Sequence, residues 1–355
     1  VRLLLVTNDF PPKPGGIQIY LKNFVDTYPD DILVYGPQDD EADPGEPNVA
    51  RGSRPYMFPT RTVVEDVLRV GERFAPDAVL FGAPHPLLQM GPTLRDGLGV
   101  PFGVLNHGAE VTLPAVFPGA RQALGRILRA ADVRFAVSRF TADRVAALAR
   151  RPVTFVGAGV EVHTFTPPDP RPAHDVPVIG CVSRFVPRKG QDRLLEAASR
   201  LEREVEVLLV GRGRTEASLR SLADKLGVRA RFEVDVPWSR LPDLYRSMDI
   251  FCMPTSSRWG GLEVEGLGLV YLEASASGLP VLAGGSGGSP ETVLPGETGF
   301  VVSSIDDIVE GLELLLDDPE RGVEMGLAGR RFVEHEFTWE RVIERYYAGF
   351  APHLR

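Results

Sequence analysis

WGGLEVEGLGLVYLEASASGLPVLAGGSGG, residues Trp259–Gly288, opens with glycines and acids and continues as a helix-like run. A Gly-Leu-Pro stop, a short apolar strand and a second glycine loop complete it. Glu265 and Glu273 lie eight residues apart. That is a little over two helical turns, so the spacing puts both carboxylates on one side of a helix, near its start. Glycines just before a helix let the backbone approach a ligand, and the first turn supplies free N–H groups for an anion. The stretch therefore proposes an anionic, hydroxyl-bearing ligand.

Working outward, strands and helices alternate on both sides. In the second half, VIGCV (178–182) reads as a buried parallel strand and runs into SRFVPRKGQD before a helix. Arg184 and Lys189 stand five residues apart in that loop. A forked guanidinium and a compact ammonium suit a diphosphate, and the end of a parallel strand is where such ligands bind. Lysine strengthens the reading, because only Lys13, Lys22, Lys189 and Lys225 occur beside 35 arginines. Surface charge is the competing reading. Further strands are expected at 205–210, 230–234 and 250–253, with a helix at 215–226.

The first half carries strands at 2–7, 32–36, 77–82, 102–105, 133–137 and 153–156. RLLLVT leads into DFPPKPGGIQIY, in which three prolines exclude helix, Gly15-Gly16 makes a turn, and helical spacing starts at Ile17. Strand, glycine loop and helix form a phosphate-approach geometry. Residues 37–54 are acidic and rich in Pro and Gly and read as a mobile loop. FGVL ends at Asn106-His107-Gly108-Ala109-Glu110, where His107 either bonds a substrate hydroxyl or carries a proton, or else serves as a capping or packing histidine. Ser138 or Thr141 caps the helix that follows strand 133–137. The Pro-rich tract 157–177 has no periodicity and reads as a linker. The repeated alternation defines an α/β protein with doubly wound parallel sheets, and 355 residues suit two domains.

Composition narrows the function classes. A net charge of −9 argues against general nucleic-acid binding. The charge is uneven: residues 51–151 hold 14 Lys and Arg against 8 Asp and Glu, a local +6. That basic stretch either meets an anionic acceptor or membrane surface or is a solvated face. No apolar run is long enough for a transmembrane helix, and VRLLLVTNDF reads as a first strand rather than a signal peptide. Cys181 and Cys252 sit in separate apolar segments and read as buried thiols. No acidic metal motif accompanies these elements.

Four segments in order, PPKPGGIQ, HGAE, SRFVPRKGQD and EGLGLVYLEASASGLPV with its E-x7-E spacing, resemble the retaining glycosyltransferases of family 4 over nearly the whole chain. NDFPPKPGGIQIY, HGAEVTLPAVFPGARQAL and VPRKGQD are similar to those of actinobacterial GDP-mannose-dependent phosphatidylinositol mannosyltransferases. The resemblance implies the GT-B fold, two Rossmann-like domains facing a cleft. Residues 1–168 would form an acceptor domain, 169–335 a nucleotide-sugar donor domain, and 336–355 a helix crossing back to the first. It implies that Gly15 and Gly16 bring backbone to the donor, and that Arg184 and Lys189 hold the diphosphate and stabilise the leaving group. Glu265 would contact hydroxyls of the transferred sugar, with the amides of Gly266, Leu267, Gly268, Leu269 and Val270 beside it. Glu273 would accept the ribose hydroxyls, and His107 would bond the donor sugar.

No side chain is an evident nucleophile, so the implied reaction is same-face attack with the donor phosphate taking the acceptor's proton. A covalent intermediate on a carboxylate is the general alternative, but the resemblance assigns Glu265 and Glu273 elsewhere. A nucleotide diphosphate sugar is the co-substrate, no metal is tightly bound, and Mg²⁺ associates with the nucleotide if added. FEVDVPW departs from the family's Phe-Leu-Gly, with Val234 at the glycine position. Val234, Asp235 and Val236 are the base-neighbouring candidates, Asp235 as partner of a guanine amino group. TSSRWGGLEVEG also departs from the expected glycine-rich loop. The implied acceptor is an anionic lipid of the phosphatidylinositol type, met by Arg54, Arg61, Leu113, Phe117 and Arg121 in a cytoplasmic enzyme at the inner face of the plasma membrane. A UDP-sugar donor with a soluble acceptor, and a sugar-nucleotide-binding protein without activity, are the other readings.

Overall fold

A computed structural model describes residues 1–13, 15–43, 45–112, 118–171 and 174–354. Contacts divide the chain into two units, Val1–Gly159 together with Trp339–Arg355, and Val160–Thr338.

In the first unit, the described residues form one sheet from β1 (Leu3–Val6), β2 (Ile32–Gly36), β3 (Val49–Arg51), β4 (Ala78–Phe81), β5 (Phe102–Asn106), β6 (Val133–Ala136) and β7 (Thr154–Phe155). Its order is β3-β2-β1-β4-β5-β6-β7, and every pairing is parallel. The apolar runs LLLV of β1 and AVLF of β4 are buried along their whole length, as strands covered by helices on both faces must be. Residues 49–51 correct the expected loop over 37–54: Val49 pairs with Val34, so the edge of the sheet is closed by a short strand. Ser138 is the cap of helix Arg139–Ala149, accepting from the Thr141 amide at 3.1 Å.

The last helix, Trp339–Phe350, belongs to this unit's core. Tyr346 packs against Phe135 and Phe24, with ring centroids 4.5 and 4.8 Å away, and Phe350 lies 5.2 Å from Phe135. Gly103 makes room for it, since a Cβ there would stand 2.8 Å from the Phe350 ring.

The second unit holds β8 (Val178–Val182), β9 (Glu206–Val210), β10 (Arg229–Glu233), β11 (Ile250–Met253), β12 (Val281–Gly284) and β13 (Gly299–Val302). These run parallel in the order β10-β9-β8-β11-β12-β13. The expected linker is largely part of this unit. Phe165 is buried between Trp238 and Tyr245, and Arg330 donates to the carbonyls of Val162 and Phe165. The division therefore falls at Gly159, nine residues before the expected 168/169 boundary. Proline removes helical periodicity from this segment without preventing it from packing.

Both sheets reverse their winding once, between β1 and β4 and between β8 and β11. Ligands of doubly wound sheets bind at the carboxyl ends of the strands at such a reversal. The loops at those ends are Thr7–Gly15 and Gly82 onward in the first unit, and Ser183–Gly190 and Pro254–Gly268 in the second. Among the described residues, no helix is long and apolar enough to cross a membrane.

Candidate active site

In the second unit, a short 3₁₀ turn, Pro187–Lys189, ends the loop after β8 and turns Lys189 inward. Its ammonium is buried and donates to Glu265 Oε2 at 2.7 Å. Arg188 Nη1 donates to the same oxygen, and Arg188 Nε lies 3.7 Å from Glu263 Oε1. Glu265, 8% exposed, thus faces two cations. Burial alone would raise its pKa, but the charges and hydrogen bonds of Lys189 and Arg188 overcome this and hold it at about 2. Burial lowers the pKa of Lys189, and the neighbouring Arg188 adds to this against the pull of Glu265. Counting Glu263, two carboxylates balance Lys189 and Arg188, so the cluster holds two fixed cations, charge-balanced, in a water-poor place. Arg188 is the residue that sequence reasoning missed. It stands beside Lys189 in PRK, but an adjacent cation in a loop carries no signal of which way it points.

Arg184, by contrast, is exposed and has no ion pair or side-chain hydrogen bond among the described residues. It is a cation in reserve at the end of β8. Its carbonyl accepts from Gln191 Nε2 at 3.0 Å, which fixes the backbone beneath it.

Glu265 and Glu273 do not share a helix. The helix is Leu269–Ala276, and Glu265 lies in the loop before it. Gly268, at φ +94°, ends that loop, and a Cβ there would sit 2.6 Å from the Tyr271 ring. Among the described residues, no hydrogen-bond acceptor is paired with the amides of Gly266 through Val270. Free amides at a helix start with a carboxylate alongside suit a phosphate and the hydroxyls of a sugar. The second glycine loop fixes Glu265 from behind. Gly287 has φ +60°, and a Cβ there would fall 1.9 Å from the Glu265 carbonyl oxygen. The Gly288 amide donates to that oxygen at 3.0 Å.

Glu273 on the helix accepts from Tyr245 Oη at 2.8 Å. Burial pushes its pKa up to about 7, the Tyr245 hydrogen bond opposes this, and Glu161 adds to it. The carboxylate assumed from sequence is therefore half protonated near neutral pH. Tyr245, also unseen in the sequence, is its positioning partner.

In the first unit, His107 follows β5. Its Nε2 is 3.0 Å from the Gly82 carbonyl, and its ring meets Tyr20 edge-on at 5.4 Å. A carbonyl accepts only, so Nε2 carries the proton and donates. Burial lowers the His107 pKa against the fields of Glu110 and Asp9. The neutral ring then offers Nδ1 as an acceptor for a hydroxyl. Glu110 Oε1 accepts from the amides of His107 and Gly108, which fixes the turn. Asp9, at the end of β1, accepts from Gln18 Nε2 at 3.0 Å. Gly15 caps helix Gly16–Thr27, and no Cβ would meet an obstacle at Gly16.

The remaining expected residues are dispersed. Val234, Asp235 and Val236 follow edge strand β10, where Asp235 takes φ +54° and pairs with Arg212 at 3.0 Å in an exposed ion pair. Arg61 is exposed and pairs with Glu65 along its helix. Arg54 is exposed. Arg121 borders a surface pocket with Arg129 and Arg150. Leu113 and Phe117 lie outside the described residues. Among the described residues, no group of three His, Cys, Asp or Glu side chains is placed to hold a metal ion.

Two doubly wound parallel sheets, with cations and free amides at the reversal of the second, define a nucleotide-sugar-handling GT-B protein, and the chain belongs to the family of glycosyl transferases group 1. The model of that family matches residues 164–332. The chain is 39% identical over 368 residues to the GDP-mannose-dependent monoacylated alpha-(1-6)-phosphatidylinositol monomannoside mannosyltransferase of Corynebacterium glutamicum, covering 97% of this chain and 96% of that one. It is 40% identical to the GDP-mannose-dependent alpha-(1-6)-phosphatidylinositol monomannoside mannosyltransferase of Mycolicibacterium smegmatis, with 95% of each covered. Among solved structures, Anabaena HepE in complex with UDP matches with a TM-score of 0.83 at 18% identity, over 99% of this chain and 100% of that one. Sucrose-phosphate synthase from Thermosynechococcus elongatus matches at 0.78 and 20%, over 99% of each. These structural likenesses establish the fold.

Proposed function

We propose that this chain transfers mannose from GDP-mannose to a phosphatidylinositol monomannoside, with retention of configuration. The observation that carries the transfer chemistry is the buried Lys189–Glu265–Arg188 cluster beside the free amides of Gly266–Val270. Donor and acceptor are proposed from the names of the relatives matched along nearly the whole chain.

In this reading Arg184, Lys189 and the amides receive the donor diphosphate. Negative charge grows on the leaving phosphate as the glycosidic bond breaks, so fixed cations there favour the transition state over the ground state. Glu265, kept ionised by its two partners, accepts from hydroxyls of the transferred sugar. Glu273 accepts from the ribose, and His107 Nδ1 accepts from a sugar hydroxyl. The acceptor hydroxyl attacks from the face that the phosphate leaves, and the phosphate takes its proton. Mg²⁺, where present, accompanies the nucleotide. The acceptor's anionic headgroup brings the enzyme to the inner face of the plasma membrane, with Arg54, Arg61 and Arg121 as candidate contacts.

A donor-by-acceptor activity screen tests this directly. Phosphatidylinositol, its monomannoside and inositol phosphate are offered with GDP-mannose, UDP-glucose and UDP-N-acetylglucosamine. Transfer from GDP-mannose to the monomannoside is expected. Turnover with a UDP-sugar and none with GDP-mannose would sink the donor assignment, and transfer to the soluble inositol phosphate alone would sink the acceptor.

A further inference from the structure

The stretch that departs from the family wording, Arg258–Glu263, folds into a small hairpin. The Arg258 amide donates to the Glu263 carbonyl at 2.9 Å, and the Glu263 amide donates back at 3.3 Å. Three successive residues at its tip take positive φ: Trp259 at 50°, Gly260 at 64° and Gly261 at 88°. Glycine adopts that region readily, whereas a bulky aromatic residue rarely does. Trp259 nevertheless holds it with 64% of its surface exposed. Its indole has the Arg258 guanidinium 5.2 Å from the ring centroid.

The base of the hairpin is fixed on two sides. The Ser256 amide donates to the Arg188 carbonyl at 3.0 Å, and the Ser257 and Ser286 hydroxyls are 3.0 Å apart. Ser286 Oγ also accepts from the Glu265 amide at 3.3 Å. A chain of charges runs on from the tip: Arg258 to Glu263 at 3.5 Å, Glu263 to Arg188 at 3.7 Å, and Arg188 to Glu265. The exposed indole is therefore carried on a braced support tied to the carboxylate assigned to a sugar. Packing does not explain it, because so exposed a side chain buries little of its apolar surface. Flat, two-torsion aromatic side chains are low-entropy contact surfaces, suited to the apolar C–H face of a sugar ring.

We propose that Trp259 is a stacking platform for a hexopyranose ring, held in register with Glu265 by the Arg258–Glu263–Arg188 chain. The proposal rests on the reading of Glu265 as a sugar contact. The ring is that of the donor or that of the acceptor, and kinetics separates the two.

The test compares Trp259→Ala and Trp259→Phe with the wild type. In initial-rate assays, W259A is expected to raise the KM of one sugar substrate about five- to ten-fold, the size of a lost aromatic contact. The kcat stays within about three-fold, and W259F recovers most of the loss. A rise in donor KM places the donor ring on the indole, and a rise in acceptor KM places the acceptor ring there. Unchanged values for both overturn the proposal. A second arm needs no transferase activity: indole emission is followed while methyl α-D-mannopyranoside or methyl α-D-glucopyranoside is added. A saturable change in the wild type that W259F lacks supports the platform even if the assigned donor is wrong. The same response in both proteins, or none in either, overturns it.

Discussion

Glu273→Gln is expected to stabilise the nucleotide-free protein and weaken its hold on the nucleotide, with both effects dependent on pH. The folded carboxyl titrates near 7, against 4.5 for a free glutamate. Below about pH 4.5 both folded and unfolded forms are protonated, and burial costs nothing through this group. Between 4.5 and 7 the unfolded chain ionises while the folded one keeps its proton, so stability is lost as pH rises. Above 7 the loss is complete. At 1.36 kcal/mol per pH unit the ceiling is about 3 kcal/mol, and the side chain's partial exposure reduces it to about 1–3 kcal/mol. Glutamine keeps an oxygen to accept from Tyr245 and removes the charge. Urea unfolding of wild type and variant at pH 5 and pH 8, followed through the transition of the second unit, measures the effect. A gain of about 1–3 kcal/mol at pH 8 that shrinks towards pH 5 is expected. Calorimetry with GDP gives the other half: wild-type binding strengthens as pH rises through 7 and releases protons, and the variant loses about ten- to a hundred-fold in affinity at pH 8. A stability gain of equal size at both pH values would refute the reasoning, because it would have no link to ionisation.

Lys189→Ala should lower kcat by about two orders of magnitude or more if its ammonium stabilises leaving-group charge. Single-turnover kinetics checks this, and near-normal turnover removes the role. Gly287→Ala should destabilise the second unit by about 2–4 kcal/mol, combining a left-handed backbone with an overlap on the Glu265 carbonyl. Thermal unfolding measures it, and a loss below the scatter of surface substitutions would mean that the glycine loop yields easily.

The buried strands were legible because they must be. A strand covered on both faces reads as an unbroken apolar run, and RLLLVT and VIGCV were placed within a residue or two. Edge strand β3 was not, because VAR has neither run nor alternation and is held by pairing with β2. Lys189 and Glu265 could be named from sequence, but their direct contact could not, as 76 residues separate them. The E-x7-E spacing suggested one helix for both acids. Gly268 decides otherwise, since the backbone leaves helical geometry there and begins the helix only at Leu269. Arg188 and Tyr245 were invisible for a different reason: their roles depend on which way a side chain turns in three dimensions.

Helix Trp339–Phe350 fills the core of a unit whose other residues end at Gly159. Because ribosomes deliver the chain from the amino end, β1 to β7 emerge long before the aromatic residues that cover Phe24 and Phe135. The second unit is an insertion that can finish folding while the first still lacks part of its interior. The nascent first unit must therefore wait with apolar surface open for as long as some 180 residues take to be made, about 9–36 s at typical elongation rates. During synthesis, this half is the one that most needs protection from aggregation.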